Sequence, residues 1–186
     1  MARRLSKRIG FGLLAVILLV AIGLAVWEPL TSTRAAAPPP RRYDTVIARD
    51  RWGVPHIFGR TDPDVAYGIG YAHAEDDFAT LQEVLAMTRG RGGAVTGTDG
   101  AAADYAFHLL GARATVDRDY DRQPADVRAL LDGYASALNL YAARHPGEVR
   151  LAKLFPVDGH DVAVGFVLRS PFFFGLENTL GALADA

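Results

Sequence analysis

Serine nucleophiles, which could attack an ester or amide, are few in this chain of 186 residues. The serines are Ser6, Ser32, Ser136 and Ser170. None lies in the Gly-x-Ser-x-Gly turn that exposes a nucleophilic hydroxyl, and Ser136 has alanine on both sides, which favours a packing role. Cysteine is absent, which excludes thiol nucleophiles, disulfides and thiolate-bound metals. The residues alone therefore provide no complete catalytic set.

One histidine and two carboxylates are spaced for metal binding. His73 precedes Asp76 by three residues and Asp77 by four, so on a helix these side chains could share an ion. The alternative is a solvated acidic face with His73 as its neighbour, which is the commoner arrangement. We therefore expect His73, Asp76 and Asp77 to lie on a solvated acidic face of the helix rather than to bind a metal.

The glycines of residues 90–93 could form a phosphate-binding loop. However, no Gly-Lys-Ser/Thr follows them, and they come after a predicted helix rather than between a strand and a helix. We expect residues 90–100 to form a surface loop.

The elements that would position these residues begin after an apolar segment. From Ile9 to Trp27 no residue is charged, and a helix of that length spans about 28 Å, close to the thickness of a bilayer core. Cations in the basic segment 1–8 predict that it stays in the cytoplasm while the remainder is exported to the periplasmic or extracellular side. A signal anchor over 9–27 is favoured over a cleaved signal peptide, for which residues 35–37 could supply the cleavage site.

Charge and composition divide the chain in two. Residues 1–42 carry a net charge of +6, and residues 43–186 carry −7. An exported region this acidic is a poor partner for nucleic acid. Three consecutive prolines make residues 28–42 an extended linker, so the globular part begins near Tyr43.

Two short strands and a long helix are predicted after the linker. The β-branched residues of 45–48 indicate a strand, and residues 54–58 indicate a second one at a sheet edge, because Pro55 cannot donate to a ladder. A helix should begin at Thr61 or Asp62 and run to about Thr88. Gly68 and Gly70 weaken that helix, and we expect another backbone to approach it closely there.

Two further helices follow. Apolar spacing predicts a helix over 124–144, and a third should begin at the cap residue Asp158 and end at residues 170–171, where a proline interrupts it. This mostly helical layout has one hairpin and too few strands for a sheet buried on both faces. We therefore expect it to pack against a partner.

Two motifs carry a resemblance to a known family. They are Arg-Asp-Arg-Trp-Gly-Val-Pro-His-Ile at residues 49–57 and Tyr-Gly-Ile-Gly-Tyr-Ala-His-Ala-Glu-Asp at residues 67–76. They resemble the start of the penicillin-acylase-type amidases, N-terminal-nucleophile hydrolases that include acyl-homoserine-lactone and aculeacin-type acylases. The likeness covers 43–91 well and extends more loosely to residue 178.

The resemblance implies an α+β fold, in which residues 43–186 form a mostly helical small-chain fragment of an αββα enzyme. It implies an exported precursor that is cut into a small and a large chain and hydrolyses a linear amide bond. The nucleophile would be the first Ser of the large chain, beyond this sequence, with its α-amine as the base. The fragment alone should be inactive, and none of its residues is expected to be catalytic.

The same resemblance implies where this chain would contact substrate. In penicillin G acylase a Met and an Arg-Phe pair follow the corresponding helix; aligned this way, Ser170 occupies the Met position, Phe173 the Arg position and Phe174 the Phe position. The more apolar wall would suit an aliphatic or aromatic acyl tail. The alternative is a hydrophobic plug against the large chain, and the two readings stay open.

Glu177, followed by Asn178, matches the acidic residue that family members contribute to a structural calcium. One carboxylate is insufficient for calcium, which takes 6–8 oxygens, so the other ligands would lie in the large chain. No organic cofactor is expected.

Two other functions compete with the amidase. The first is a non-enzymatic, membrane-anchored binding module derived from the acylase small chain. The second, a cytoplasmic metal-dependent hydrolase, is disfavoured by the apolar segment and by the few histidines.

Overall fold

A computed structural model of the protein describes residues 12–23, 42–176 and 178. Residues 12–23 form a helix, α1, whose side chains are exposed. Among the described residues, no helix has both the length and the apolar character needed to cross a membrane. The basic segment 1–8, the ends of the predicted anchor at 9–11 and 24–27, the linker up to residue 41 and Glu177 all lie outside the described residues.

The predicted hairpin is confirmed. Strand β1 (Thr45–Arg49) pairs antiparallel with β2 (Pro55–Gly59), and Val46 lies opposite Phe58. Burial alternates along both strands because successive side chains point to opposite faces. One face of the hairpin packs against the long helix that follows.

That helix, α2 (Asp62–Met87), lies where it was predicted but is kinked. The backbone amide and hydroxyl of Thr61 donate to the carboxylate of Asp64, at 3.0 and 2.7 Å, which fixes the helix start. Asp77 has non-helical angles, φ −156° and ψ 70°, and its Oδ1 accepts the amide of Thr80 at 3.0 Å. Asp77 thus ends the first half of the helix and caps the second half.

Helix α6 (Ala125–Arg144) packs along α2, and glycines permit the contact. A Cβ atom on Gly70 would lie 2.8 Å from the Tyr134 carbonyl oxygen, and one on Gly133 would lie 2.6 Å from that of Pro63. At Gly68 a Cβ would overlap the side chains of β1 and β2. The expected close approach of another backbone is confirmed at Gly70, whereas the close neighbours of Gly68 are side chains of the hairpin.

The prediction of a loop over residues 90–100 is wrong. This region holds α3 (Gly93–Thr96) and the start of α4 (Thr98–Leu110), and α5 (Ala112–Asp119) follows. The cause is a contact from a distant residue: the carboxylate of Asp104 accepts the amides of Gly92 and Gly93, at 2.6 and 2.9 Å. These two bonds satisfy free N–H groups at the start of α3.

Helix α7 (Gly159–Phe173) begins at the predicted cap, Asp158, which accepts the amide of Asp161 at 3.1 Å. The predicted end at residues 170–171 is wrong, because Pro171 lies inside the last turn. Pro171 has no N–H group, so one backbone hydrogen bond of the helix is missing. Because this is the last turn, the helix continues to its end at Phe173.

The core has two parts. One joins α2 and α6 to the irregular segment 145–158, and the other lies around α5 and α7. The irregular segment contains two short 3₁₀ turns, Pro146–Glu148 and Ala152–Leu154. Buried amide side chains hold it: Gln82 accepts the amide of Arg150 and donates to the carbonyl of Glu148, while Asn139 exchanges two hydrogen bonds with the backbone of Val157.

Candidate functional site

The first motif forms the turn of the hairpin. Asp50 Oδ1 accepts the amides of Trp52 and Val54, at 2.8 and 3.0 Å, and Gly53 adopts the positive φ of 82° that the turn requires. The Trp52 amide is the main reason why the pKa of Asp50 is lowered. A carboxyl with a lowered pKa in the folded state stabilises the fold above its unfolded pKa, and this support is lost as the pH falls through the folded pKa.

The two motifs meet in space. Arg49, at the end of β1, donates to Glu75 Oε2 at 3.0 Å and lies 2.8 Å from Asp76 Oδ1 on α2. The hydrogen bond with Glu75 is the main cause that raises the pKa of Arg49. Another Arg49 nitrogen donates to the carbonyl of Gly53 at 2.9 Å. This arginine clamp therefore ties the turn and strand to the helix.

We expect Arg49→Met to lower the thermal unfolding midpoint of the chain by a few degrees and to reduce its dependence on salt, because a partly screened ionic network is lost. The measurement is circular dichroism at low and high ionic strength. Arg60→Met is the matched control, since Arg60 is exposed and its nearest carboxylate oxygen, on Asp44, is 3.6 Å away. Equal effects of the two substitutions would contradict the clamp.

The residues considered for metal binding each have another partner. His73 Nδ1 lies 2.9 Å from the hydroxyl of Tyr134 on α6, Asp76 pairs with Arg49, and Asp77 caps the second half of α2. Within the part of the chain that the structure describes, no group of three or more histidines and carboxylates is placed to hold an ion. The acidic end of the second motif is an ionic contact with the hairpin.

Neither described serine is set up as a nucleophile. Ser136 donates to the carbonyl of Asp132 at 2.6 Å and lies 3.2 Å from the hydroxyl of Tyr43. Ser170 donates to the carbonyl of Phe166 at 2.7 Å. Both hydroxyl protons therefore bond to backbone oxygens of their own helices rather than to a base.

The predicted substrate-binding residues lie together at the end of α7. Ser170 is in the last turn and points its hydroxyl back to the helix, whereas Phe173 and Phe174 are 82% and 90% exposed. Glu177, the predicted calcium ligand, is not among the described residues. The end of α7 thus presents two large aromatic side chains without cover from the described part of the chain.

An ionic cluster that sequence reasoning missed lies at the start of α7. Asp161 is only 2% exposed, and its carboxylate pairs with Arg89 at 2.7 and 3.0 Å and with Arg113 at 3.3 Å. Arg89 also donates to the carbonyls of Lys153 and Pro156. The Asp158-x-x-Asp161 spacing was the available signal, because it marks a capping box. The cluster joins three parts of the fold and is structural.

A shallow apolar groove lies between α2 and α6. Its lining residues are Asp62, Val65, Ala66, Ile69, Leu130 and Tyr134. Burial raises the pKa of the tyrosine, which already contacts His73. A site for chemistry needs several polar groups that converge on one point, and this groove does not provide them.

Comparisons with known proteins agree on one family. The family model described as penicillin amidase matches residues 44–169. Acyl-homoserine lactone acylase PvdQ of Pseudomonas putida is 38% identical over 112 residues, which cover 56% of this chain and 14% of that protein. Penicillin acylase 2 proenzyme of a Pseudomonas species is 28% identical over 97 residues, covering 52% of this chain and 12% of that protein.

A solved structure gives the same fold. Thermostable penicillin G acylase from Alcaligenes faecalis superimposes with a TM-score of 0.57 at 23% identity, over 68% of this chain and 72% of that chain. The mostly helical α+β fold is therefore confirmed. The structural alignment covers most of that solved chain, whereas the sequence alignment with the Pseudomonas putida acylase covers about one seventh of that relative's length.

Proposed function

The chain belongs to the penicillin amidase family, and on that premise we propose that it is the small-chain region of an exported amidohydrolase precursor. The complete protein cleaves a linear amide bond in an acylated small molecule of the penicillin, homoserine-lactone or lipopeptide kind. The nucleophile is an N-terminal Ser of a large chain that lies beyond residue 186. Export follows from the basic and apolar segments at the N-terminus, with 9–27 as the membrane anchor.

One observation carries this proposal: residues 44–169 match a family of hydrolases, while the polar groups of the two motifs serve to hold the fold. The relative lengths support a divided enzyme. The equivalent region is most of a solved penicillin acylase chain but a small part of a curated acylase, and one relative is named a proenzyme. A small chain that supplies scaffold needs no nucleophile of its own.

The proposed chemistry is acyl transfer to the large chain's serine. Its hydroxyl oxygen bonds to the amide carbonyl carbon while the free α-amine takes the hydroxyl proton and passes it to the departing amine. Water then cleaves the acyl-enzyme ester and releases the carboxylic acid. An α-amine has an ordinary pKa of about 7.7–8.0, so it can be neutral near physiological pH and act as this base.

For the substrate, we place the acyl tail against the end of α7. Phe173 and Phe174 offer an apolar wall, with Ser170 beside them. In the assembled enzyme, Phe174→Ala should lower kcat/KM for a long-chain acyl amide about 10-fold or more, because a lost apolar contact in a pocket weakens binding of the transition state by about 1–3 kcal/mol.

Steady-state kinetics with short and long acyl amides test this placement. Phe166→Ala is the matched control, since Phe166 is also exposed on α7. A loss that grows with acyl length supports the pocket wall. Loss of assembly without any length dependence means that the aromatic end is a plug against the large chain.

The structural calcium that we propose takes one carboxylate from this chain, that of Glu177. The described residues do not fit a complete calcium site, because they contain no group of three or more carboxylates and histidines. The other oxygens therefore belong to the large chain, and no step of the reaction is assigned to the ion.

The test compares this chain alone with the product of the continuous reading frame. We expect the 186-residue chain to show no hydrolysis of phenylacetyl or long-chain acyl amides, and the longer product to be cut into two chains and to turn them over. Turnover by the short chain would contradict the proposal. A stop codon directly after residue 186 would favour the binding module instead.

A further inference from the structure

The outer face of the hairpin exposes apolar side chains to solvent. Ile47 and Ile57 are half-buried and face α2, whereas Val46 and Phe58 point away from it and are 59% and 61% exposed. Val46 and Phe58 lie directly opposite each other across the two strands. An antiparallel sheet that faces solvent on one side normally carries polar residues there, so an apolar cross-strand pair indicates a covered face.

The turn adds two more apolar side chains. Trp52 is 75% exposed, the guanidinium of Arg51 lies 4.6 Å from the centre of its ring, and Val54 is more than half exposed. We name Val46, Trp52, Val54 and Phe58 the hairpin patch. Trp and Arg are the side chains that most often contribute large shares of the binding energy in protein interfaces.

The hairpin patch is also held in place before any partner arrives. Asp50 fixes the turn through the amides of Trp52 and Val54, and Arg49 fixes it through the carbonyl of Gly53 and the carboxylates of α2. A surface that is already ordered loses little conformational entropy on binding, which favours tight association.

We propose that the hairpin patch is the docking surface for the large chain of the same precursor, with Trp52 as the anchor. The occupant is an apolar pocket of the large chain with a carboxylate at its rim for Arg51. This inference rests on the proposed function. Two observations support this partner: the family model covers the hairpin, and most of the length of the curated relatives lies outside the matched region.

Other occupants fit less well. A symmetric dimer through this patch would place two Arg51 guanidinium groups in one interface, and this patch offers them no carboxylate other than the one that fixes its own turn. A membrane surface is usually anionic, while residues 43–186 carry a net charge of −7.

The experiment uses the full precursor with an affinity tag on the large chain. Trp52→Ala and Phe58→Thr are compared with Tyr105→Ala and Leu109→Thr, which remove equally exposed apolar side chains from α4. The amount of small chain retained, and its dissociation rate, are measured after processing. Trp52→Ala should speed dissociation about 30-fold or more, corresponding to a loss of at least about 2 kcal/mol at an interface anchor, and the α4 variants should behave as wild type.

Each outcome decides between the proposals. Retention of all four variants at wild-type levels overturns the docking surface and leaves the proposed function intact. A wild-type precursor that is never cut into two chains overturns the proposed function itself. Dimers of the isolated chain, or its binding to anionic phospholipid vesicles, that disappear with Trp52→Ala would assign the patch to a second copy or to lipid and overturn the large chain as the occupant.

Discussion

Asp161→Ala lowers the free energy of unfolding by about 3 kcal/mol, which we expect to be the largest effect of any single carboxylate in the described part of the chain. The carboxylate is buried and faces two arginines, so its removal leaves the guanidinium of Arg89 without its main counter-charge. It also removes half of the capping box of α7, because the backbone amide of Asp158 donates to Asp161 Oδ2. The helix start and the irregular segment before it loosen together.

Urea unfolding followed by circular dichroism measures this effect. Asp117→Ala is the matched control, because Asp117 pairs with the same Arg113 at 2.9 Å but is about half exposed. Exposed ion pairs contribute at most about 1 kcal/mol, so the control should stay close to wild type. If the two variants unfold at the same urea concentration, the buried cluster is not what holds α7.

Asn139→Leu should lower the free energy of unfolding by about 2–4 kcal/mol while keeping the number and branching of the side-chain heavy atoms. Its amide donates to the carbonyl of Val157 at 2.7 Å and accepts the amide of Val157 at 2.8 Å, and both bonds are buried. Leucine leaves two backbone groups without partners, at a cost of about 1–3 kcal/mol each. The segment 145–158 then loses two of its hydrogen bonds to α6.

Hydrogen exchange shows which backbone amides the substitution destabilises. Amides of residues 149–157 should lose protection in Asn139→Leu, while those in the first half of α2 keep it. Gln123→Leu changes an exposed amide side chain in the same way and should leave exchange unchanged. Unaltered protection of residues 149–157 in Asn139→Leu would mean that the segment finds other partners.

Local patterns in the sequence predict the hairpin, α2 and α6 because the signals lie within each element. Pro55 marks an edge strand, and regular apolar spacing marks a helix. Helices α3 and α4 are missed since their sequences are rich in glycine and alanine, and α5 has only 8 residues, too few for a clear apolar spacing. The start of α3 depends on Asp104 of α4, whose contact with Gly92 joins two different helices.

The candidate site was predictable to a smaller extent. The motifs identify the family, but Arg49 and Glu75 are 26 residues apart, and Arg89 and Asp161 are 72 apart. Pairings over such distances depend on the packing of whole helices, so spacing cannot reveal them. For Ser170, Phe173 and Phe174 the sequence predicted contact with substrate, and their placement at the exposed end of α7 leaves that role as a proposal.

The arginine clamp has a consequence for how this signature is used to search genomes. Arg49, Glu75 and Asp76 stabilise the packing of the hairpin on α2, so a chain that has lost its activity can still keep these three residues. A search with these two motifs therefore retrieves proteins that share this fold, whether or not they are active. Whether a retrieved gene encodes a working hydrolase must be judged from residues outside these two motifs.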